Sequence, residues 1–273
     1  MPLRHAFHFD RSGHPFTVNA PAIDIHALCK RFSGVPVLDR VSLVVPGGTI
    51  FALVGGNGAG KSTLIKIMMD LIRPDSGEIR LCGLPSPLPE SRCGVAYLPE
   101  RFWPPEALRV GEFLSWMARL HGAPNDVSTM RTTLESLELD PVILDQPIRA
   151  LSKGMTQKLG LATHLMSQKK LWILDEPFSG IDPKARALLK NHWRAARSQG
   201  VTLFFSTHQL ADIVELCDGM AILHGGSMLF SGSPCICLER FGGHDMEEAY
   251  LKAIGGEPRR MDGFQGPVAP VGE

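Results

Sequence analysis

The sequence predicts an α/β domain: a largely parallel sheet flanked by helices, preceded by an antiparallel strand pair and interrupted by a helical insertion. Three observations predict it. Residues 49–54, 94–98, 171–174 and 201–206 are short, nearly continuous apolar runs, the pattern of strands buried on both faces. Such runs alternate with stretches of helical spacing, the βαβ order of a parallel sheet. Between 99 and 150 the texture changes to helical spacing broken by prolines 104, 105, 124, 141 and 147, which marks an inserted helical subdomain.

Taken in order, residues 1–20 show neither helical nor strand periodicity and read as a flexible leader. Residues 23–32 and 37–45 alternate apolar and polar side chains around Ser33-Gly34, which predicts an antiparallel pair. After the run at 49–54 a helix is expected over 61–72, stopping before Arg73-Pro74-Asp75-Ser76-Gly77, and a strand over 78–82. Within the insertion, Val110, Phe113, Leu114 and Met117 share one helical face, and Met130, Leu134 and Leu137 another. Helices over 154–166 and 184–197 bracket the strand at 171–174, and late strands are expected at 220–223 and 227–230. The main domain spans 21–233. Residues 234–273 read as a tail with a short helix near 246–253. No internal repeat is present.

Composition excludes several classes. With 44% hydrophobic and 21% charged residues the chain is an ordinary globular one. Its 28 basic residues equal its 28 acidic ones, so the basic surface typical of a nucleic-acid binder is missing and no nucleic-acid partner is expected. No apolar run nears the roughly 18 residues of a membrane span, and the start lacks a secretion signal, so a cytoplasmic location is expected. Six scattered cysteines read as reduced thiols. The aromatics Phe102, Trp103, Phe113 and Trp116 are expected in the core of the insertion rather than at a partner surface.

Gly55-Gly56-Asn57-Gly58-Ala59-Gly60-Lys61-Ser62-Thr63 matches the P-loop pattern between a buried strand and a helix. Glycines let the backbone turn through positive φ and bring its N–H groups onto phosphate oxygens. The helix starting at Lys61 directs its positive end to the same place. Lys61 is expected at the β- and γ-phosphates, and Ser62 on Mg²⁺. Asp175-Glu176 closes the apolar strand 171–174 at the end where ligands collect in such sheets. Asp175 suits the Mg²⁺ shell, and Glu176 is placed to polarise a water that attacks the γ-phosphate. His208 follows the next strand and can reach the same edge.

Leu151-Ser152-Lys153-Gly154-Met155-Thr156-Gln157, about two dozen residues before the carboxylate pair, resembles the signature motif of the ATP-binding cassette (ABC) ATPases. Ser179-Gly180-Ile181-Asp182 resembles their D-loop, and Phe32 stands where that family stacks adenine. The resemblance covers residues 23–233. It implies a RecA-like core, an antiparallel β subdomain and a helical subdomain carrying the signature, with ATP and Mg²⁺ as ligands. Ser152 and Gly154, at a helix N-terminus, would meet the γ-phosphate held by a second ATP-binding subunit, identical or related, with Asp182 near the seam. The resemblance further implies separately encoded integral-membrane permease subunits, with this subunit peripheral on the inner membrane face. The spellings Tyr97-Leu98-Pro99-Glu100 and LSKGM are similar to the exporter branch.

Three departures from the family pattern stand out. Gly56 replaces a common proline, Lys153 and Met155 alter the signature, and Glu100 replaces the Q-loop glutamine near Mg²⁺ and the permease. Glu100 keeps the side-chain length but adds a negative charge beside the triphosphate. The rival reading, a soluble ABC ATPase of DNA repair or translation, would carry a long coiled-coil insertion or two cassettes per chain. This sequence has neither.

Overall fold

A computed structural model describes residues 20–255 and, before them, the paired strands β1 (His8–Phe9) and β2 (Pro15–Phe16). The remaining expectations for the leader, and those for the chain beyond 255, lie outside the described residues. In chain order follow β3 (Ile23–Phe32), β4 (Val35–Val45), β5 (Ile50–Val54), α1 (Lys61–Met68), β6 (Ser76–Leu81), β7 (Leu84–Pro85) and β8 (Val95–Leu98). The helical stretch contributes α2 (Val110–His121), α3 (Val127–Ser136) and α4 (Lys153–Met166). Then come β9 (Leu171–Leu174), α5 (Pro183–Ser198), β10 (Thr202–Thr207), α6 (Ile213–Leu216), β11 (Gly219–His224), β12 (Ser227–Gly232), α7 (Pro234–Phe241) and α8 (Met246–Gly255).

Two sheets carry the fold. The larger has the order β12-β11-β5-β10-β9-β8, parallel except for β12 on its edge. The smaller is antiparallel with the order β4-β3-β6-β7. Successive residues of β5 point to opposite faces, as a strand requires. Ile50, Ala52 and Val54 join a core shared with α2 to α5, whereas Phe51 and Leu53 join one shared with the smaller sheet and α1. Burial on both faces explains why this strand reads as a continuous apolar run.

Helix ends follow local chemistry. Asp126, Ser152, Asp182 and Ser233 each accept a hydrogen bond from a first-turn N–H of α3, α4, α5 and α7. The helix expected over 61–72 stops at Met68. Asp70 adopts a left-handed φ of 58°, the Asp70 N–H donates to the Ile67 carbonyl at 3.0 Å, and the Leu71 N–H donates to Lys66 at 2.8 Å. This is a Schellman termination with aspartate in place of the usual glycine. The helix α7 occupies residues expected to be tail, and it starts at a Ser233 cap followed by Pro234.

On α4, His164 is fully buried, and one ring nitrogen lies 3.1 Å from the Gly160 carbonyl. Burial pushes its pKa from 6.5 down to about 4, so the folded chain holds it neutral. The unfolded chain binds this proton below about pH 6.5, and the folded one only near 4. The contribution of His164 to stability is therefore complete above pH 6.5 and is lost as pH falls towards 4, by an amount of order 3 kcal/mol. Urea unfolding across that window should show a loss that is reduced in His164→Gln; equal slopes in the two proteins would refute it.

Candidate active site

The P-loop links β5 to α1 and is held from both sides. The Gly55 N–H donates to the Thr207 carbonyl of β10 at 3.3 Å. A Cβ on Gly55 would come within 2.4 Å of the Leu223 carbonyl of β11. At the other end Gly60 has a φ of 106°, and a Cβ there would lie 2.9 Å from the Val37 carbonyl. Only glycine fits either place. Between them Asn57, Gly58 and Ala59 complete the turn, and the Ala59 N–H donates to the Gly56 carbonyl at 3.2 Å. Ser62 and Thr63 lie in the first turn of α1.

Lys61 is buried, and its ammonium donates to the Gly55 carbonyl at 2.7 Å and the Gly56 carbonyl at 3.2 Å. It also lies 3.3 Å from Glu176 Oε1. The other oxygen of Glu176, Oε2, is 3.0 Å from His208 Nδ1. One carboxylate thus joins the P-loop lysine to the residue after β10. Glu176 takes a left-handed φ of 49°, unusual for a non-glycine residue, and its N–H donates to Ser206 Oγ at 2.9 Å.

Asp175 is buried and accepts from Ser206 Oγ at 2.5 Å. Burial, and then the Asp175 carboxylate, push the Tyr97 phenol up to about 12, so Tyr97 stays neutral beside it. Sequence reading assigned no role to Ser206. The only local sign was a hydroxyl at a strand end, because its partners Asp175 and Glu176 lie some thirty residues earlier. Ser62 and Asp175 offer a hydroxyl and a carboxylate, hard oxygens of the kind that suit Mg²⁺.

The convergence follows from strand order. β5, β10, β9 and β8 are neighbours, and their C-terminal ends carry the P-loop, His208, Asp175-Glu176 and Glu100 respectively. Glu100 is exposed two residues beyond β8. Phe32, at the end of β3, is 44% exposed, and the Lys30 ammonium lies 5.3 Å from its ring centroid. Lys30 therefore covers one face of the half-exposed ring, and a flat ligand would have to take the other.

The signature residues stand apart. Ser152 caps α4, accepting from the Met155 N–H at 3.2 Å, and a Cβ on Gly154 would lie 3.2 Å from the Gly180 carbonyl. Lys158 of α4 reaches Asp182 at 3.1 Å, while Asp182 also caps α5. No hydrogen bond or ion pair joins Ser152 or Gly154 to residues 55–63 among the described residues. The aromatics divide: Phe113 is buried and Phe102 packs on it, but Trp103 is 82% and Trp116 51% exposed, which corrects the core expectation for both tryptophans. Trp116 falls off the α2 stripe of Val110, Phe113, Leu114 and Ala118, so it faces outward.

Chemically, the arrangement offers loop amides and an ammonium to an anion, with a carboxylate beside it to polarise water. The family profile described as ABC transporter matches residues 38–179, more than half of the chain. The Nod factor export ATP-binding protein I of Ralstonia nicotianae is 31% identical over 238 residues, covering 85% of this chain and 73% of that one. An ABC transporter ATP-binding protein of Synechocystis is 36% identical over 231 residues, covering 83% of this chain and 64% of its own length. A solved structure of the ATP-binding subunit of an ABC transporter superposes with a TM-score of 0.79 at 31% identity, covering 85% of this chain and 99% of that one. With its P-loop and paired carboxylates on that shared fold, the chain belongs to the ABC transporter family as an ATP-binding subunit that couples ATP hydrolysis to transport.

Proposed function

We propose that two such subunits, identical or related, close head to tail over two ATP molecules, and that closure drives separately encoded permease chains to export a substrate. The observation that carries the hydrolytic step is the placement of Glu176 between Lys61 and His208. P-loop amides and Lys61 hold the phosphates, and Phe32 stacks on adenine. Ser62, Asp175 and Glu100 would hold Mg²⁺, which shields phosphate charge when bound. The incoming phosphates take the Lys61 ammonium from Glu176, which frees Oε1 to polarise the attacking water. As the imidazolium, His208 donates Nδ1–H to Glu176 and has Nε2–H for the γ-phosphate, whereas a neutral ring with Nδ1–H would offer that phosphate only a lone pair.

The second half of each site comes from the opposing copy, whose α4 N-terminus presents Ser152 and Gly154 to the γ-phosphate. Asp182 lies at the seam. The separation of Ser152 from the P-loop within one chain supports this, because a single copy leaves the signature without a phosphate.

Two observations support a membrane partner. Among the described residues no helix is long and apolar enough to cross a membrane, which favours a translocation path outside them. The exposed Trp103, three residues after the exposed Glu100, and the exposed Trp116 of α2 offer those chains apolar surface. Export is supported by the Ralstonia relative, a Nod factor export ATP-binding protein. The subunit would then sit on the inner membrane face through its permease, whereas the DNA-repair or translation reading has no comparable support. Isolation of the chain from detergent-solubilised membranes should recover an integral-membrane protein in stoichiometric amount. Recovery with ribosomes or DNA instead would overturn the transport assignment.

A further inference from the structure

The ring of His208 is half exposed, and one contact with Glu176 holds it among its described hydrogen bonds. With one side-chain contact, the position of the ring also depends on the loop that carries it. Four residues on, Asp212 opens α6, yet its side chain makes no capping hydrogen bond there. Both of its carboxylate oxygens turn to α5 instead: Oδ2 lies 2.8 Å from the Arg186 guanidinium and Oδ1 3.0 Å from the Lys190 ammonium. These side chains are between 15% and 24% exposed, so the pairs are partly shielded from solvent.

Arg186 has two further attachments. Its guanidinium carbon lies 4.7 Å from the ring centroid of Phe178, two residues after Glu176. Its N–H donates to the Asp182 carbonyl at 2.9 Å, the first helical bond of α5. Its Nε is buried without an acceptor, so the stack and Asp212 are what fix the guanidinium. Phe178 is itself fixed between Trp193 and Phe205, with ring centroids 4.9 and 5.8 Å away. One side chain thus connects the loops that follow Glu176 and His208, and its own helix is capped by Asp182.

We propose that Arg186, pinned on Phe178 and paired with Asp212, is a positioning residue that holds His208 against Glu176 for ATP hydrolysis. This rests on the roles of Glu176 and His208 given above. The planar guanidinium matters because it stacks and pairs at once, which a lysine ammonium does less well. Movement of α5 at the Asp182 end would reach His208 through the same link.

The test is steady-state and single-turnover ATPase of the full chain carrying Arg186→Met, Arg186→Lys, Asp212→Asn and His208→Ala, alone and combined. Arg186→Met and Asp212→Asn should each lower kcat about tenfold and leave KM for ATP within about twofold. Arg186→Lys should fall between Arg186→Met and wild type. The discriminating readout is the Arg186→Met/His208→Ala double variant, which should be no slower than His208→Ala alone, since a residue acting through His208 has nothing left to position. A full multiplicative loss, or wild-type kcat in both single variants, would overturn the proposal. If Arg186→Met does not fold, Asp212→Asn and its combination with His208→Ala make the same measurement with little change in volume. Wild-type turnover by His208→Ala would sink the His208 assignment itself, and this proposal with it. A large loss there with none in Asp212→Asn would sink the positioning role alone.

Discussion

Glutamine in place of Glu176 lowers ATP turnover about a thousandfold and at the same time tightens nucleotide binding. The first effect follows from chemistry, since an amide cannot take up the proton of the attacking water, and a positioned base contributes on the order of 10²–10⁴. The second follows from geometry. Glu176 is 12% exposed, and its Oε1 lies 3.3 Å from the Lys61 ammonium, so the γ-phosphate and Glu176 are rivals for one cation. A neutral amide concedes that ammonium, which keeps its contacts to the Gly55 and Gly56 carbonyls. Binding of a fluorescent ATP analogue should strengthen roughly tenfold, the scale of losing one partly buried ion-pair competitor. Because hydrolysis is what ends the closed state, the variant should also accumulate as a dimer with ATP, seen as a doubled mass by light scattering. Near-normal turnover would remove Glu176 from the chemistry. A single copy at saturating nucleotide, both alone and with its permease, would remove the clamp.

How much of this was legible depended on whether the deciding contact was local. The P-loop glycines, the apolar run of β5 and the Ser152 cap are short-range features, each readable within about ten residues. The end of α1 was not. Apolar spacing continues through Leu71 and Ile72, and only the left-handed turn at Asp70 cuts it. At α7 the serine cap and following proline were present in the sequence, but the Gly- and Pro-rich texture around them outweighed the signal. Long-range partners left no trace. Ser206 serves Asp175 and the Glu176 N–H, and Asp212 serves Arg186 and Lys190, because strand order brings β10 beside β9 and α6 beside α5. In a doubly covered sheet the apolar pattern announces each strand but not its neighbour, so the carboxylates were visible while their supports were not.

Two chains that are each inactive should recover activity when mixed. Lys61→Met removes the ammonium from the P-loop. Gly154→Asp places a carboxylate at the α4 N-terminus, where the helix dipole and the Ser152 hydroxyl would otherwise meet phosphate. A Cβ at Gly154 lies 3.2 Å from the Gly180 carbonyl, tight but open to small adjustment, so the fold should survive. If each ATP sits between the P-loop of one copy and the signature of the other, neither homodimer has a competent site. A mixed dimer has one site with both lesions and one with neither. Random pairing at equal concentrations makes half the dimers mixed, which predicts about one quarter of the wild-type single-turnover amplitude. Single turnover is the right readout because it does not require the damaged site to fire. A completely silent mixture would show that P-loop and signature serve the same chain, and the separation of Ser152 from Lys61 would then need a closure within one copy rather than between two.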